Sequence, residues 1–180
     1  MSRDTALDPR LQLLHDRRTV SRLDPPGPTP HELAALLAAA DAAPDHGALR
    51  PWRLLVLDDA ARRQVSDAYA AAQRDVDPSP ELVERAASKP LRGPCVVAAL
   101  ARTVAHPKVP DWEQLAAAAA AVQNLCLGAT ALGYGSAWRT GWFVEHAAVR
   151  TALDAGPDER IIGMIHLGTP RTTPRTTPRT

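Results

Sequence analysis

Two short apolar runs, residues 52–57 (Trp-Arg-Leu-Leu-Val-Leu) and 95–100 (Cys-Val-Val-Ala-Ala-Leu), constrain the fold of this chain more than any other feature. Both have strand length and both lie between segments of helical periodicity. Strands set among helices bury their two faces only in a layered arrangement, so an α/β architecture is expected. The helical segments carry their own start signals. Leu11, Leu14 and the Arg17-Arg18 pair fall at helical spacing and give a first amphipathic helix with basic charge at its C-terminal end, where the macrodipole favours it. Thr29-Pro30-His31-Glu32 reads as a capping box with proline at the first helical position, starting a helix to about Ala43.

Asp59 is placed to cap a further helix through Ala70, and Ser79-Pro80-Glu81 to start a short one ending near Lys89-Pro90. Asp111-Trp112-Glu113-Gln114 is another capped start, with Asp111 as the cap, and its helix runs to a stop at Gly133. This is the longest element. Its alanine run, 116–121, lets another helix approach closely, which suits a central helix or a self-association surface. Beyond it, residues 135–138 read as a strand, 144–153 as a short helix and 160–167 as the last strand.

A length of 180 residues supports one domain. With 21 Lys+Arg against 20 Asp+Glu the net charge is +1, so nothing points to a nucleic-acid or membrane-surface partner. The alanine run falls well short of the roughly 20 apolar residues that a membrane span needs. Cys95 and Cys126 sit in apolar surroundings and no secretory signal opens the chain, so a reduced, cytoplasmic protein is expected. The end of the chain repeats Thr-Pro-Arg-Thr, and prolines at that period with no apolar group to bury predict a solvated tail over 171–180 behind a domain of 1–170.

Several chemistries lack their residues. There is no phosphate loop and no Gly-x-Gly-x-x-Gly after a strand, so nucleotide binding of those kinds is excluded. The six histidines show no paired spacing and no neighbouring cysteine for zinc, and no serine has a Gly-x-Ser-x-Gly context. Three segments remain. Arg17-Arg18-Thr19-Val20-Ser21-Arg22 concentrates guanidinium groups and hydroxyls where a helix gives way to a loop, a set suited to a phosphate or an anionic ring edge. Trp138-Arg139-Thr140-Gly141-Trp142 joins two tryptophans and an arginine to a glycine that lets backbone approach a ligand. Ala43-Pro44-Asp45-His46, leading to Pro51-Trp52, presents a histidine and an acid from a loop dense in turn formers.

Taken in order with Lys108-Val109-Pro110-Asp111-Trp112-Glu113-Gln114 and with a closing Ile162-Gly163 to Leu167-Gly168-Thr169-Pro170, these segments resemble the FMN-dependent nitroreductase family, in its small single-domain bacterial branch. The resemblance spans about residues 8 to 170. It implies an α+β fold of three layers, α/β/α, with a mixed central sheet, in a homodimer that holds FMN at the subunit interface. It assigns Arg17, Arg18 and Thr19 to the first flavin-binding segment, His46 to a contact with the flavin of the other subunit, and Trp138, Arg139, Thr140 and Gly141 to backbone along the flavin near its reactive nitrogen. Ala42 stands where close relatives often carry a basic residue, and Arg50 where glutamine is common. The implied activity is ping-pong transfer of hydride from NADPH or NADH to a nitroaromatic or quinone-type small-molecule acceptor. No side chain is assigned to the hydride step itself, because that chemistry belongs to the flavin. A flavin-dependent dehydrogenase or flavin-processing relative on the same fold, or a flavin-binding protein with little turnover, is the alternative.

Overall fold

The computed structural model describes residues 8–171, so the expected tail lies outside the described residues apart from Arg171. The first helix, α1 (Pro9–Asp16), starts at Asp8, whose carboxylate accepts the Arg10 backbone N–H at 2.9 Å. It stops before Arg17-Arg18, and Leu11 and Leu14 remain 49% and 52% exposed, so its apolar stripe is not covered by this chain. A two-residue strand, β1 (Leu23–Asp24), follows. Helix α2 (Pro30–Asp41) has the expected capping box. The Thr29 hydroxyl accepts the Glu32 N–H at 3.3 Å, and the Glu32 carboxylate takes the Thr29 N–H at 2.8 Å and the Tyr134 hydroxyl at 2.9 Å.

Strand β2 (Trp52–Val56) leads into α3 (Asp59–Val76), which is longer than the sequence suggested. Its cap is Asp58, whose side chain accepts from Ala61 N–H, and Asp59 is the first helical residue. Helix α4 (Pro80–Ala87) packs antiparallel on α3 and, through a 3₁₀ turn at Lys89–Leu91, the chain enters β3 (Cys95–Arg102). Two helices in series return the chain to the end of the sheet it left, so β2 and β3 pair antiparallel.

Helix α5 (Asp111–Ala131) begins after Pro110 with no side-chain cap, contrary to the expected role of Asp111. Gln114 turns inward instead: it is 1% exposed, accepts the Val104 N–H at 2.9 Å and donates to the carbonyls of Val104 and Val109. Tying down the 104–109 loop satisfies more polar groups than a capping box would. Ala117, Ala118 and Ala121 are buried, so half of the alanine run packs within the fold as a central helix would, and Ala116 is exposed. Gly128 is where α2 crosses α5; a Cβ there would come within 2.9 Å of Leu36 Cδ2.

Strand β4 (Gly135–Arg139) is followed by a 3₁₀ turn at Trp142–Glu145, α6 (Ala147–Ala152) and β5 (Glu159–Pro170). The expected helix over 144–153 is therefore split, with His146 capping its second part. Strand order is β1-β5-β3-β2 with β4 also on β5, and every ladder is antiparallel. The parallel pairing in the sheet is the bridge between Thr19 and Ser136. Alternation along the strands sorts the core. Val96, Ala98, Leu100 and Met164 pack with α3, α4 and α6, while Val97, Ala99, Ile165 and Leu167 pack with α2 and α5. The result is the three-layer α/β/α arrangement.

Register shifts between Ala99, opposite Gly163, and Leu100, opposite Ile161, so Ile162 is the extra residue of a bulge. Its carbonyl accepts the Trp138 indole N–H at 2.9 Å. The indole crosses Gly163 so closely that a Cβ there would lie 2.3 Å from Trp138 Nε1.

Candidate functional site

The site is assembled where the N-terminal segment meets the end of β4. The Val20 N–H donates to the Ser136 carbonyl at 2.9 Å, which sets Thr19 beside Ser136 and carries Ser21 alongside the strand. Arg139, the last residue of β4, then donates to the Ser21 hydroxyl at 3.0 Å. Two segments 118 positions apart are thus joined at one point. A cavity of about 390 Å³ opens there, bounded by Ser21, Arg22, Arg139 and Thr140 at its rim, by the Lys89–Gly93 segment on one side, and by Tyr69, Phe143 and Met164 beneath.

Charge sets this cavity apart from the second one. Arg22, Lys89, Arg92, Arg139 and Arg171 line it against one carboxylate, Asp24, which is already held by the Arg171 guanidinium at 2.7 and 2.8 Å. A second and larger cavity, about 660 Å³, lies at the opposite end of β5. It carries four carboxylates, Asp111, Glu145, Asp158 and Glu159, against Arg150 and Arg160, and Glu159 is also paired with the Arg53 guanidinium at 2.6 Å. An anionic ligand is favoured in the first cavity over the second. Among the described residues no cluster suits a metal ion.

The cationic wall is held from behind by a residue the sequence did not single out. Arg62 of α3 is 9% exposed and donates to the carbonyls of Pro90 (3.3 Å), Gly93 (2.7 Å) and Pro94 (3.4 Å). Three carbonyl dipoles offset the cost of burying that charge, and they fix the loop carrying Lys89 and Arg92. Lys89 lies 4.0 Å above the Phe143 ring, which stacks on Tyr69 at 4.6 Å and on Trp142 at 4.0 Å. Burial first, then the charges of Arg92 and Arg85, pulls the Lys89 ammonium below its ordinary range. Burial also pushes the Tyr69 hydroxyl up to about 12, keeping it protonated.

Of the residues singled out in sequence, Arg139 and Thr140 line the cavity and Gly141 follows them directly. Trp138 faces the sheet, its indole fixed by Ile162. Arg17 closes α1 through its N–H to the Leu13 carbonyl, and Arg18 directs its guanidinium to the carbonyls of His15 and Arg17. Thr19 takes part in the bridge to Ser136. His46 is elsewhere. It precedes β2, three strands across from β4, a separation of about 14 Å counted at ordinary strand spacing. One chain alone does not bring His46 to the cavity. Lys89, Arg92, His166 and Arg171, which also line the cavity, were not among the residues singled out in sequence, because their signal is a placement by loops and sheet register.

His166 sits in the wall of the cavity, 6% exposed, with its Nδ1–H donating to the Arg92 carbonyl at 2.8 Å. Burial is the main cause holding its pKa below 6.5, and the guanidinium groups of Arg139, Arg62 and Arg92 add to it. A histidine whose folded pKa is depressed leaves the unfolded chain to bind the proton first as pH falls. Stability is therefore fully present above about pH 6.5 and is lost as pH drops toward the folded value. Thermal melts across pH 7.5 to 5 are expected to show this slope, and His166→Gln to flatten it; an equal slope in the variant would assign it to other groups.

The sequence profile of the nitroreductase family matches residues 14–169. The protein named "Putative NAD(P)H nitroreductase YdjA" from Escherichia coli (strain K12) is 34% identical over 161 residues, covering 89% of this chain and 88% of that protein. Among solved structures, a nitroreductase-like family protein from Bacillus cereus superposes with a TM-score of 0.78 at 23% identity, over 100% of this chain and 94% of the other. A mutant of the FMN and NADPH-dependent nitroreductase NfnB from sphigopyxis sp. strain HMH superposes with a TM-score of 0.73 at 18% identity, over 94% of each chain.

Proposed function

Because this chain belongs to the nitroreductase family, we propose that it is an FMN-dependent NAD(P)H oxidoreductase acting on small nitroaromatic or quinone-type acceptors. The observation that carries the reading is the cationic cavity at the end of β4, in which five basic side chains surround space large enough for part of a planar anionic ligand. That donor set fits FMN: guanidinium groups suit its phosphate and the pyrimidine edge of its ring, and the Ser21 and Thr140 hydroxyls add hydrogen bonds. FMN, when bound, supplies the hydride chemistry.

The chain's own contribution is binding, orientation and charge. Arg22, Arg92 and Arg139 would hold the anionic groups, with Arg17, Arg18 and Thr19 at the neighbouring edge. Positive charge beside the ring favours the anionic reduced state, which makes the bound cofactor a better hydride acceptor. Gly141, with φ of 129°, presents backbone without a side chain directly after Thr140. His46 would reach the flavin of a second subunit across a homodimer interface, which accounts for its place at the far edge of the sheet. Exposed Leu11, Leu14, Trp112 and Leu132 give such an interface apolar area. A cytoplasmic location agrees with the two free cysteines, Cys95 and Cys126, and no described helix is long and apolar enough to cross a membrane.

Purified protein is expected to bind FMN in preference to FAD, to sediment as a dimer, and to lose its visible flavin absorbance on anaerobic addition of NADPH or NADH, recovering it with a nitroaromatic or a quinone. A dimer that takes up no FMN would overturn the proposal, and one that binds FMN without bleaching would leave a flavin-binding protein with little turnover.

A further inference from the structure

The loop that carries His46 is built to hold that side chain in one orientation. Residues 46–48 form a 3₁₀ turn, and two non-glycine residues of the loop, Ala48 and Arg50, take left-handed backbone with φ of 52° and 46°. Left-handed conformations at such residues cost energy and persist where surrounding contacts impose them. Here the Asp45 carboxylate does so by accepting the Arg50 N–H at 2.6 Å. The imidazole projects from this loop with 59% of its side chain exposed, yet it is not free: Nδ1 lies 2.8 Å from Glu113 Oε2. Glu113 stands in the first turn of α5, a 21-residue helix whose start is fixed by the buried Gln114 beside it. The acid is therefore anchored to the longest described helix, and it reaches 67 positions back along the chain to the histidine.

We infer that Glu113 is a positioning residue for His46: its carboxylate accepts the Nδ1–H, fixes the Nδ1–H tautomer, and so presents Nε2 outward toward the flavin site of a second copy of this chain. This rests on the proposed FMN-binding dimer. The chemistry leaves one arrangement, since a carboxylate only accepts and Nδ1 must be the donor. Neutral imidazole in water favours the opposite tautomer, with the proton on Nε2. Glu113 thus reverses a default preference and orients the ring, as a carboxylate behind a metal-bound histidine does. The Glu113 segment, Lys108 to Gln114, stood out in the sequence with no chemistry assigned to it.

Two measurements on the full chain test this. Nitrogen NMR of labelled histidine at about pH 8, where free imidazole is neutral, is expected to show His46 as the Nδ1–H tautomer and Glu113→Ala to return it to Nε2–H. Wild-type protein with the proton on Nε2 would overturn the inference whether or not flavin binds. FMN titration of the dimer is expected to give about a tenfold weaker Kd for Glu113→Ala, with the Glu113→Ala/His46→Ala pair no weaker than His46→Ala alone. Independent, additive losses would overturn it. Should Glu113→Ala fold poorly, Glu113→Met, similar in length and without a strong acceptor, replaces it, and an unchanged tautomer together with unchanged FMN affinity would count against the role. If wild-type dimer binds no FMN, the proposed function fails while the tautomer result still decides what Glu113 does.

Discussion

Gly163→Ala is expected to destabilise the fold by about 3 kcal/mol, lowering the melting temperature by roughly 6–12 °C for a chain of this size. The residue lies in the bulge of β5, at the middle of the sheet, with φ of 155°, and its missing side chain is what lets the Trp138 indole cross the strand. An added Cβ meets Trp138 Nε1 at 2.3 Å and Arg139 carbonyl oxygen at 3.0 Å, so either the indole leaves Ile162 or β4 shifts off β5. Because Arg139 and Thr140 follow Trp138, that shift also moves the cavity rim, and FMN affinity should fall along with stability. Gly156→Ala provides the control. A Cβ there touches only Glu159 Oε2, at 3.8 Å, and its melt should match wild type. Equal melting temperatures for the two variants would show that β4 accommodates the change without cost.

Removing two of the basic groups, as Arg92→Ala/Arg139→Ala, is expected to weaken FMN binding by about 3 kcal/mol, more than a hundredfold. Each guanidinium supplies a charge-assisted contact, and they approach the cavity from different elements: Arg139 from the end of β4, Arg92 from the loop held by Arg62. The loss should shrink as salt is raised, since the site is open to solvent and its field is screened. Arg160→Ala, which removes one positive charge beside the acidic cavity, keeps the same net change per residue without touching the site and should leave the Kd near wild type. If Arg160→Ala weakened FMN as much as either single cavity variant, binding would be a matter of overall charge and the cavity would not be the site.

How far the sequence reached differs between elements. The α2 start was readable because a capping box needs four consecutive residues and nothing else. The two apolar runs gave β2 and β3 from their own composition: β3 is buried along most of its length, and β2, half-buried at the sheet edge, is still apolar enough to read as a strand. Expectations slipped where a residue had a better partner elsewhere. Gln114 left the capping box for three backbone groups of the 104–109 loop, and Arg18 turned back to the end of α1. The ordered motifs were enough for the family, because they record positions that the fold brings together without stating how.

The sequence by itself therefore determined the layered class, most element starts, and the two segments, Arg17 to Arg22 and Trp138 to Gly141, that meet at the cavity. Local signals suffice for these, since caps, periodicity and turn residues act over a few positions. Tertiary structure alone decided the rest: that Ser21 meets Arg139 through the Thr19–Ser136 bridge, that Arg62 presents Lys89 and Arg92 to the cavity, and that His46 stands three strands away, bound to Glu113. Those relations depend on sheet order and register, which join residues tens of positions apart, and no local pattern of side chains encodes a distance across a sheet.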